Sequence, residues 1–328
     1  MSGSFAYHRA SDLAEALKDG GGEGAVFLAG GTDLMPLWKS GALAPETVID
    51  ITRLPLAEVR EREGRLSLGA LVRLSDVAAN PAVRERHPLI AEAIDASASG
   101  QVRNMATVGG NLLQRTRCAY FRTEGLACNK RRPGSGCGAL TGENRQHAIF
   151  GGGEACVAVH PSDLAVALSA LGAEVETRGL GGGRRLDLDQ LYRLPGETPE
   201  RDTVLQPGEL ITQVHVSDGA RFGNRSTYLK VRDRASFEFA VVSVAAALVV
   251  ADGVMVEARL AAGGVAPRPW RLTASEAALK GSRLEAAAFA EAAALAADGA
   301  TALADNGFKI ELLRRAVRRA LETIGGAA

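Results

Sequence analysis

Four cysteines are the residues of this chain whose type and spacing most directly suggest chemistry. Cys118, Cys128, Cys137 and Cys156 are the only cysteines among the 328 residues, and they fall within 39 consecutive positions. Nine, eight and eighteen residues separate them, with no C-x-x-C pair. Such clustering indicates that the four thiols share a ligand or a cross-link.

Three kinds of site could use these thiols. Structural zinc sites usually contain close C-x₂₋₄-C pairs, which are absent from this sequence. Two disulfides would require an oxidising compartment. A [4Fe–4S] cluster needs four thiolates and tolerates irregular loops. We therefore expect an iron–sulfur cluster, while zinc and disulfides stay open as alternatives.

The segment that carries the cysteines is basic and has almost no hydrophobic periodicity. Between positions 115 and 147 it has two acidic residues against seven basic ones, which are Arg115, Arg117, Arg122, Lys130, Arg131, Arg132 and Arg145. Positive charge would offset an anionic four-thiolate cluster. The same charge would also suit a solvated loop or a docking face for a partner.

Two short glycine loops could hold a phosphate. Gly30 and Gly31 follow an apolar stretch and precede a helical one, and Gly109-Gly110 lies in the similar run TVGGNL. Glycine lets the backbone approach an anion, and the amides at a helix start favour it. The spacing is not G-x-G-x-x-G, so each loop alone could be a plain tight turn. As a pair they could clamp a pyrophosphate from both sides.

The elements that would position these residues alternate between strand and helix in the first two thirds of the chain. We expect Ser11 to cap a helix that ends at Gly20-Gly21-Gly22, followed by strand 25–28, helix 34–39 and strand 47–51. The pattern restarts at Arg65, and Ser75 and Asp76 open a further helix. His160-Pro161-Ser162-Asp163 caps a helix over 164–171.

A boundary near residues 217–224 precedes a different pattern. Residues 241–250 and 254–260 predict a hairpin around Asp252-Gly253. Helices are expected over 283–297 and 308–324, and the second carries four arginines that favour a solvated face or a subunit contact. We expect an α+β fold with domains 1–220 and 221–328. The first would divide into subdomains of about 1–55 and 56–220, with a cysteine-bearing insertion at 115–156.

Composition excludes several classes of function. The chain has 38 basic residues (lysine plus arginine) and 38 acidic residues (aspartate plus glutamate), and 5% of its residues are aromatic. We therefore expect neither nucleic-acid nor membrane binding. The first ten residues have no signal-peptide pattern, which predicts a cytoplasmic chain. Export together with a signal-bearing partner stays open.

Three motifs carry a family resemblance. AGGTDL at 29–34, TVGGNL at 107–112 and HPSD at 160–163 resemble the flavin-binding subunit of the molybdenum hydroxylases, the family of xanthine dehydrogenase, carbon monoxide dehydrogenase and aldehyde oxidoreductases. The resemblance covers essentially the whole chain. It implies a two-subdomain FAD-binding fold of the vanillyl-alcohol-oxidase (PCMH) type, followed by an α+β C-terminal domain of the carbon monoxide dehydrogenase flavoprotein type.

The resemblance also implies which residues bind FAD. Asp163 would accept hydrogen bonds from FAD hydroxyls, Ile211 would pack beside the flavin and Lys230 would lie near the isoalloxazine. Asp163 as only a helix cap and Lys230 as only a surface charge are the plainer alternatives. Ser97 stands where some relatives place an aromatic residue. The pyrophosphate and ribityl chain would be held by Phe27, Leu28, Ala29, Gly30, Gly31, Thr32, Asp33, Leu34, Thr107, Gly110 and Asn111.

The cysteine segment resembles one branch of the family, the flavin subunits of bacterial, often periplasmic, aldehyde oxidoreductases with an extra [4Fe–4S] cluster. The implied ligands are Cys118, Cys128, Cys137 and Cys156, with His147 and His160 nearby but not as ligands. The implied partners are a molybdenum-cofactor large subunit and a [2Fe–2S] small subunit, in a heterotrimer or its dimer. Substrate oxidation would occur on the molybdenum subunit, so no catalytic residue is expected here.

Two alternatives to this function stay open. Within the family, the flavin subunit of 4-hydroxybenzoyl-CoA reductase has a comparable cluster-bearing insertion. From a different class, the chain could be a stand-alone flavin-binding module whose cysteine loop senses redox state. In the favoured interpretation, the chain passes electrons from the [2Fe–2S] subunit through FAD to an external acceptor.

Overall fold

The computed structural model describes residues 4–326, so residues 1–3 and 327–328 of the expected domains lie outside the described residues. Residues 6–50 form a three-stranded parallel sheet in the order β1-β3-β2 with two helices. The elements are β1 Ala6–Arg9, α1 Leu13–Gly20, β2 Ala25–Leu28, α2 Leu34–Lys39 and β3 Thr47–Asp50.

Two details of this subdomain differ from the expectations. Asp12, not Ser11, caps α1, because Asp12 has extended backbone and its carboxylate accepts the Glu15 N–H at 2.9 Å. Ser11 instead donates to the Glu15 carboxylate. Strand β1 was not predicted, since AYHR contains no apolar run. It forms because its backbone pairs with β3, and this tertiary contact outweighs a weak local preference.

The second subdomain is built on a five-stranded antiparallel sheet in the order β4-β5-β8-β6-β7. Helices α3, α5, α7 and α9 contribute buried apolar residues to its core. The strands are β4 Val59–Arg62, β5 Arg65–Gly69, β6 Glu174–Gly179, β7 Gly182–Asp187 and β8 Leu210–Ser217. The helices are α3 Leu74–Ala79, α4 Pro81–Arg86, α5 Pro88–Asp95, α6 Gly100–Arg103, α7 Val108–Leu112, α9 Asp163–Ala170 and α10 Leu188–Leu191.

The cysteine segment has little regular structure, as its sequence predicts. It contains the single turn α8 Ala119–Arg122 and a 3₁₀ turn at Gly138–Leu140. Arg131 stabilises the backbone of this segment. Its guanidinium donates to the carbonyls of Tyr120, Phe121 and Thr123 at 2.7, 2.7 and 2.9 Å. Charge-assisted hydrogen bonds to the backbone thus substitute for an extended apolar core.

The C-terminal region is an α+β unit with the antiparallel strand order β12-β11-β10-β9. The predicted turn is present, with positive φ at Asp252 (51°) and Gly253 (75°). The elements are β9 Ser226–Val231, β10 Val242–Ala251, β11 Val254–Gly263, β12 Trp270–Arg271, α11 Thr273–Leu279, α12 Ala286–Leu295 and α13 Phe308–Gly325. Helix α11 was not predicted. Among residues 4–326, no helix combines the length and apolarity needed to cross a bilayer.

Candidate functional site

The first glycine loop connects β2 to α2 and is pressed against the chain that leads into the second loop. A Cβ on Gly30 would lie 1.9 Å from the Met105 carbonyl oxygen, so no other residue fits without moving the backbone. Gly31 has φ +70°, a conformation that glycine adopts without steric cost. Close packing therefore accounts for one glycine and backbone geometry for the other.

The second glycine loop forms the short helix α7. Thr107 caps it by accepting the Gly110 N–H at 3.3 Å. Asn111 accepts a 2.6 Å hydrogen bond from the Ser162 hydroxyl, and Ser162 also caps α9 by accepting the Ala165 N–H at 2.9 Å. The second loop and the HPSD turn are thus joined by direct side-chain contacts.

A cavity of about 350 Å³ lies between the two loops, and we call it the glycine-loop cavity. Five of the predicted FAD-binding residues line it, namely Thr32, Asp33, Gly110, Asn111 and Asp163. Ser97 and the β9–β10 loop, through Phe237 and Phe239, complete its wall. Its volume is in the range of about 300–1,000 Å³ that is typical of ligand sites.

A second cavity of about 460 Å³, the neighbouring cavity, shares four lining residues with the first: Arg117, Pro161, Asp163 and Phe239. The Ser243 hydroxyl lies at its wall, buried and without a hydrogen-bond partner among the described residues. Buried polar groups are normally satisfied, so this hydroxyl fits a polar ligand. The two cavities together thus suit an extended cofactor with polar edges.

Other predicted residues line neither cavity. Ile211 is buried in β8 opposite Thr177, within the core of the second subdomain. Lys230 also lies behind the wall, where it contacts Asp163. The remaining predicted residues outside both cavity walls are Phe27, Leu28, Ala29, Gly30, Gly31, Leu34 and Thr107.

Asp163 and Lys230 form a buried ion pair. The Lys230 Nζ lies 2.7 Å from one Asp163 oxygen, and Tyr228 donates its hydroxyl proton to the other at 2.6 Å. The side chain of Lys230 is 3% exposed and that of Asp163 is 5% exposed. Burial raises the pKa of the Asp163 carboxyl, and the lysine partly offsets this shift. Both plainer interpretations were therefore wrong: Ser162 is the cap, and Lys230 is not on the surface.

Asp33 connects the first glycine loop to the cysteine segment. It accepts the Arg115 backbone N–H at 2.7 Å, and its other oxygen pairs with Arg117 at 2.9 Å and Arg122 at 2.8 Å. A second aspartate from outside the segment, Asp202, pairs with Arg115 and Lys130. A solvated loop was thus the wrong interpretation for these four cations, since each of them forms an ion pair with one of the two aspartates.

All four cysteines line one small cavity of about 10 Å³, which we call the cysteine cavity. Cys128 and Cys137 face each other across a short antiparallel bridge, and no cysteine forms a disulfide. Around one zinc ion at about 2.3 Å, thiolates would lie about 3.8 Å apart. No three of the four sulfurs lie within 4.8 Å of one another. The four thiols are therefore not arranged as the ligands of a single zinc ion.

The thiols are in a sheltered environment. Burial raises the pKa of Cys118 to about 11, and it raises the pKa of Cys156 as well. Loading with metal would therefore release protons from these thiols. The buried Lys130 opposes the shift at Cys156 and donates to the Pro199 carbonyl at 2.5 Å.

Two histidines lie close to the cysteines, as expected. His147 lines both the cysteine cavity and the neighbouring cavity. His160 is buried, with Nε2 3.3 Å from the Leu112 carbonyl oxygen and Nδ1 accepting the Ser162 N–H at 3.4 Å. Burial lowers the pKa of His160 to about 4, so the ring is neutral and structural.

Some contacts at the site were not anticipated. Tyr228 was predicted only as part of a strand, although it is two residues from Lys230 and strand alternation places both side chains on one face. That periodicity could have suggested their shared role. The Asp33 contacts have no such local signal, because 82 residues separate Asp33 from Arg115.

Comparison with known proteins identifies the family. Residues 3–217 match the family described as the FAD binding domain in molybdopterin dehydrogenase. The chain belongs to this family. Residues 227–324 match the CO dehydrogenase flavoprotein C-terminal domain. The expected fold class is therefore confirmed, FAD binding is supported, and the chain is an oxidoreductase subunit like its relatives.

Curated relatives and solved structures agree with this assignment. The aldehyde oxidoreductase FAD-binding subunit PaoB of Escherichia coli is 48% identical over 84% of this chain and 86% of its own length. The glyceraldehyde dehydrogenase medium chain of Sulfolobus acidocaldarius is 30% identical over 85% of this chain and 82% of its own length. A carbon monoxide dehydrogenase structure from Oligotropha carboxidovorans superposes with a TM-score of 0.77 at 25% identity, covering 100% of both chains.

Proposed function

We propose that this chain is the FAD- and [4Fe–4S]-containing subunit of a molybdenum-dependent aldehyde oxidoreductase, and that it passes electrons from a [2Fe–2S] subunit to an external acceptor. One observation carries the proposal. In this flavoprotein fold the neighbouring cavity adjoins the glycine-loop cavity, and it shares wall residues, among them Cys118, with the cysteine cavity. Two redox groups would then be neighbours in one chain.

In this proposal the two glycine loops hold the FAD pyrophosphate and ribityl chain. Phe27–Leu34 would contribute backbone amides and the Thr32 side chain, and Thr107, Gly110 and Asn111 would contribute from the other side. FAD supplies a centre that connects one-electron relays to a two-electron acceptor. The residues around it orient the cofactor, exclude water and complement its charge.

The roles of Asp163, Lys230 and Ile211 follow from their burial. Asp163 lines both cavities and keeps free lone pairs, so it can accept hydrogen bonds from FAD hydroxyls while Lys230 and Tyr228 orient it. Lys230 would act through Asp163, and its positive charge would favour a reduced, anionic flavin. Ile211 would support the flavin from the core.

The four cysteines would bind the [4Fe–4S] cluster. Support comes from their convergence on one cavity, from the absence of disulfides and from sulfur spacings too wide for a single zinc ion. Such a cluster supplies one-electron storage or relay. The segment 115–156 would hold it by the Arg131 contacts and the aspartate pairs.

The proposal places the chain in a complex with a molybdenum-cofactor large subunit and a [2Fe–2S] small subunit. The names of two relatives support it, the FAD-binding subunit of an aldehyde oxidoreductase and the medium chain of carbon monoxide dehydrogenase from Afipia carboxidovorans. The chain would divide near residue 220 into the FAD-binding domain and the C-terminal domain. Aldehyde oxidation would take place on the large subunit.

Co-purification and cofactor analysis test this function. A tagged chain, expressed in its native genomic context and purified anaerobically, should bring down a large and a small subunit. Substituting Cys128→Ser should abolish the broad iron–sulfur absorbance and leave the flavin bands. The matched control is Ser135→Ala, which removes a hydroxyl that accepts the Cys128 N–H at 3.2 Å but keeps every thiol. Equal iron in all three proteins would refute the ligand set.

A further inference from the structure

The His147 imidazole touches a cysteine sulfur. Its Nε2 atom lies 3.2 Å from the Cys118 Sγ, within hydrogen-bond range for sulfur. Cys118 and His147 both line the cysteine cavity and the neighbouring cavity, so this contact is part of the wall between them. The contact therefore lies where it can act on a group bound by Cys118.

The chemistry of the pair assigns the proton. A cysteine that binds iron does so as a thiolate, which can only accept a hydrogen bond. Nε2 must then carry the hydrogen and donate it to the sulfur. This tautomer leaves Nδ1 as a bare lone pair, and Nδ1 is buried without a hydrogen-bond partner among residues 4–326. The opposite tautomer would bury an unpaired N–H and leave the sulfur without the imidazole donor.

Hydrogen bonds to its backbone, two of them from the C-terminal domain, hold His147 in place. The His147 backbone N–H donates to the Asn144 carbonyl at 2.9 Å. Its own carbonyl accepts from Asn306 Nδ2 at 3.2 Å and from Lys309 Nζ at 3.0 Å. Lys309 is 0% exposed, and its amine donates its other hydrogen bond to the Gly264 carbonyl at 2.8 Å. A buried amine needs such hydrogen-bond acceptors, so Lys309 ties the His147 carbonyl to the Gly264 carbonyl.

We propose that His147 is a positioning residue that donates a hydrogen bond from Nε2 to the Cys118 thiolate and thereby raises the reduction potential of the cluster. The inference rests on the proposed function, since it requires the cluster. Reduction adds negative charge to the cluster and its thiolates, and a donor to sulfur stabilises the reduced form more than the oxidised form.

Redox titration of the anaerobically purified complex, followed by electron paramagnetic resonance, tests the role. Substituting His147→Phe removes the donor and keeps an aromatic ring, and it should shift the cluster midpoint potential downward. Substituting His147→Gln keeps an N–H near the Nε2 position and should restore most of the wild-type value. Substituting His215→Gln, a buried histidine of β8, is the matched control and should leave the potential unchanged. Identical potentials for all four proteins would overturn the inference.

The deciding arm of a second measurement uses the wild-type complex alone. Wild-type complex labelled with ¹⁵N-histidine should give a nitrogen hyperfine coupling to the reduced cluster, and the coupling should vanish in H147Q. A spectrum of the labelled wild type without this coupling would also overturn the inference. A complex with flavin but no iron refutes the proposed cluster itself, which distinguishes that failure from an unchanged potential in an iron-loaded protein.

Discussion

The Asp163–Lys230 pair should be among the most energetically important contacts of the chain. The side chains of Lys230 and Asp163 are 3% and 5% exposed, and their charged atoms are 2.7 Å apart, so each side chain depends on the other for compensation of its charge. Substituting Lys230→Met leaves a buried carboxylate whose remaining side-chain donor is Tyr228. Loss of one partner of a buried pair costs about 3–5 kcal/mol.

A double-mutant cycle isolates this interaction. K230M, D163N and the double variant should be compared by urea unfolding of the full chain, followed by circular dichroism. The double variant removes both charges, so we expect it to be less destabilised than the sum of the single variants by about 2–3 kcal/mol. The carboxyl pKa, already raised by burial, should rise further in K230M.

The chain offers a matched control for the cycle. Arg145 and Asp233 also pair through hydrogen bonds of 3.0 Å, but their side chains are 50% and 49% exposed. Exposed pairs contribute about 0–1 kcal/mol, so their cycle should be nearly additive. Additivity within about 0.5 kcal/mol for the Asp163–Lys230 cycle would contradict the reasoning, since it would make the buried pair no stronger than a surface pair.

Three further predictions concern the loops and the histidine beside them. Substituting Gly30→Ala should separate the two glycine loops and lower the FAD content of the purified protein. The control G100A, whose added Cβ meets nothing within 4 Å, should retain FAD. Equal FAD content in the two variants would contradict the close packing at Gly30. The pKa of His160 is about 4 in the folded chain, below the ordinary value of 6.5. Between these two pH values the unfolded chain binds more protons than the folded chain, so the free energy of unfolding falls as the pH drops from 6.5 to 4. The loss should be about 3 kcal/mol in urea titrations and smaller in H160F, and equal pH slopes would refute the assignment. Substituting Asp33→Ala should lower the iron content by releasing the cysteine segment, and iron content equal to the wild type would count against that link.

Local patterns in the sequence were enough to predict elements whose conformation is set locally. Helix α2 has the predicted bounds. The turn at Asp252-Gly253 has positive φ at both residues, a conformation that Asp-Gly accepts more readily than most residue pairs. The Ser162 cap follows from the same kind of short-range chemistry. The exceptions are also physical: β1 depends on pairing with β3, which its own sequence does not encode.

Five of the fourteen predicted FAD-binding residues line the glycine-loop cavity, whereas the contacts that hold the candidate site together were not predicted. Clustering of the cysteines predicted one shared site, and all four line one cavity. The partners that hold the site are remote in sequence, since 67 residues separate Asp163 from Lys230 and 82 separate Asp33 from Arg115. Hydrophobic periodicity and motif spacing give information only on residues within about two helical turns of one another. They therefore cannot predict contacts between residues this far apart in the sequence.

The most direct test of the account is the cofactor content of one chain. The wild-type complex should be purified anaerobically, and its subunits separated for FAD, iron and zinc analysis. We expect FAD and about four irons on this subunit, since four cysteines supply the ligands of one [4Fe–4S] cluster. Zinc in place of iron, or a subunit with iron but no flavin, would contradict it.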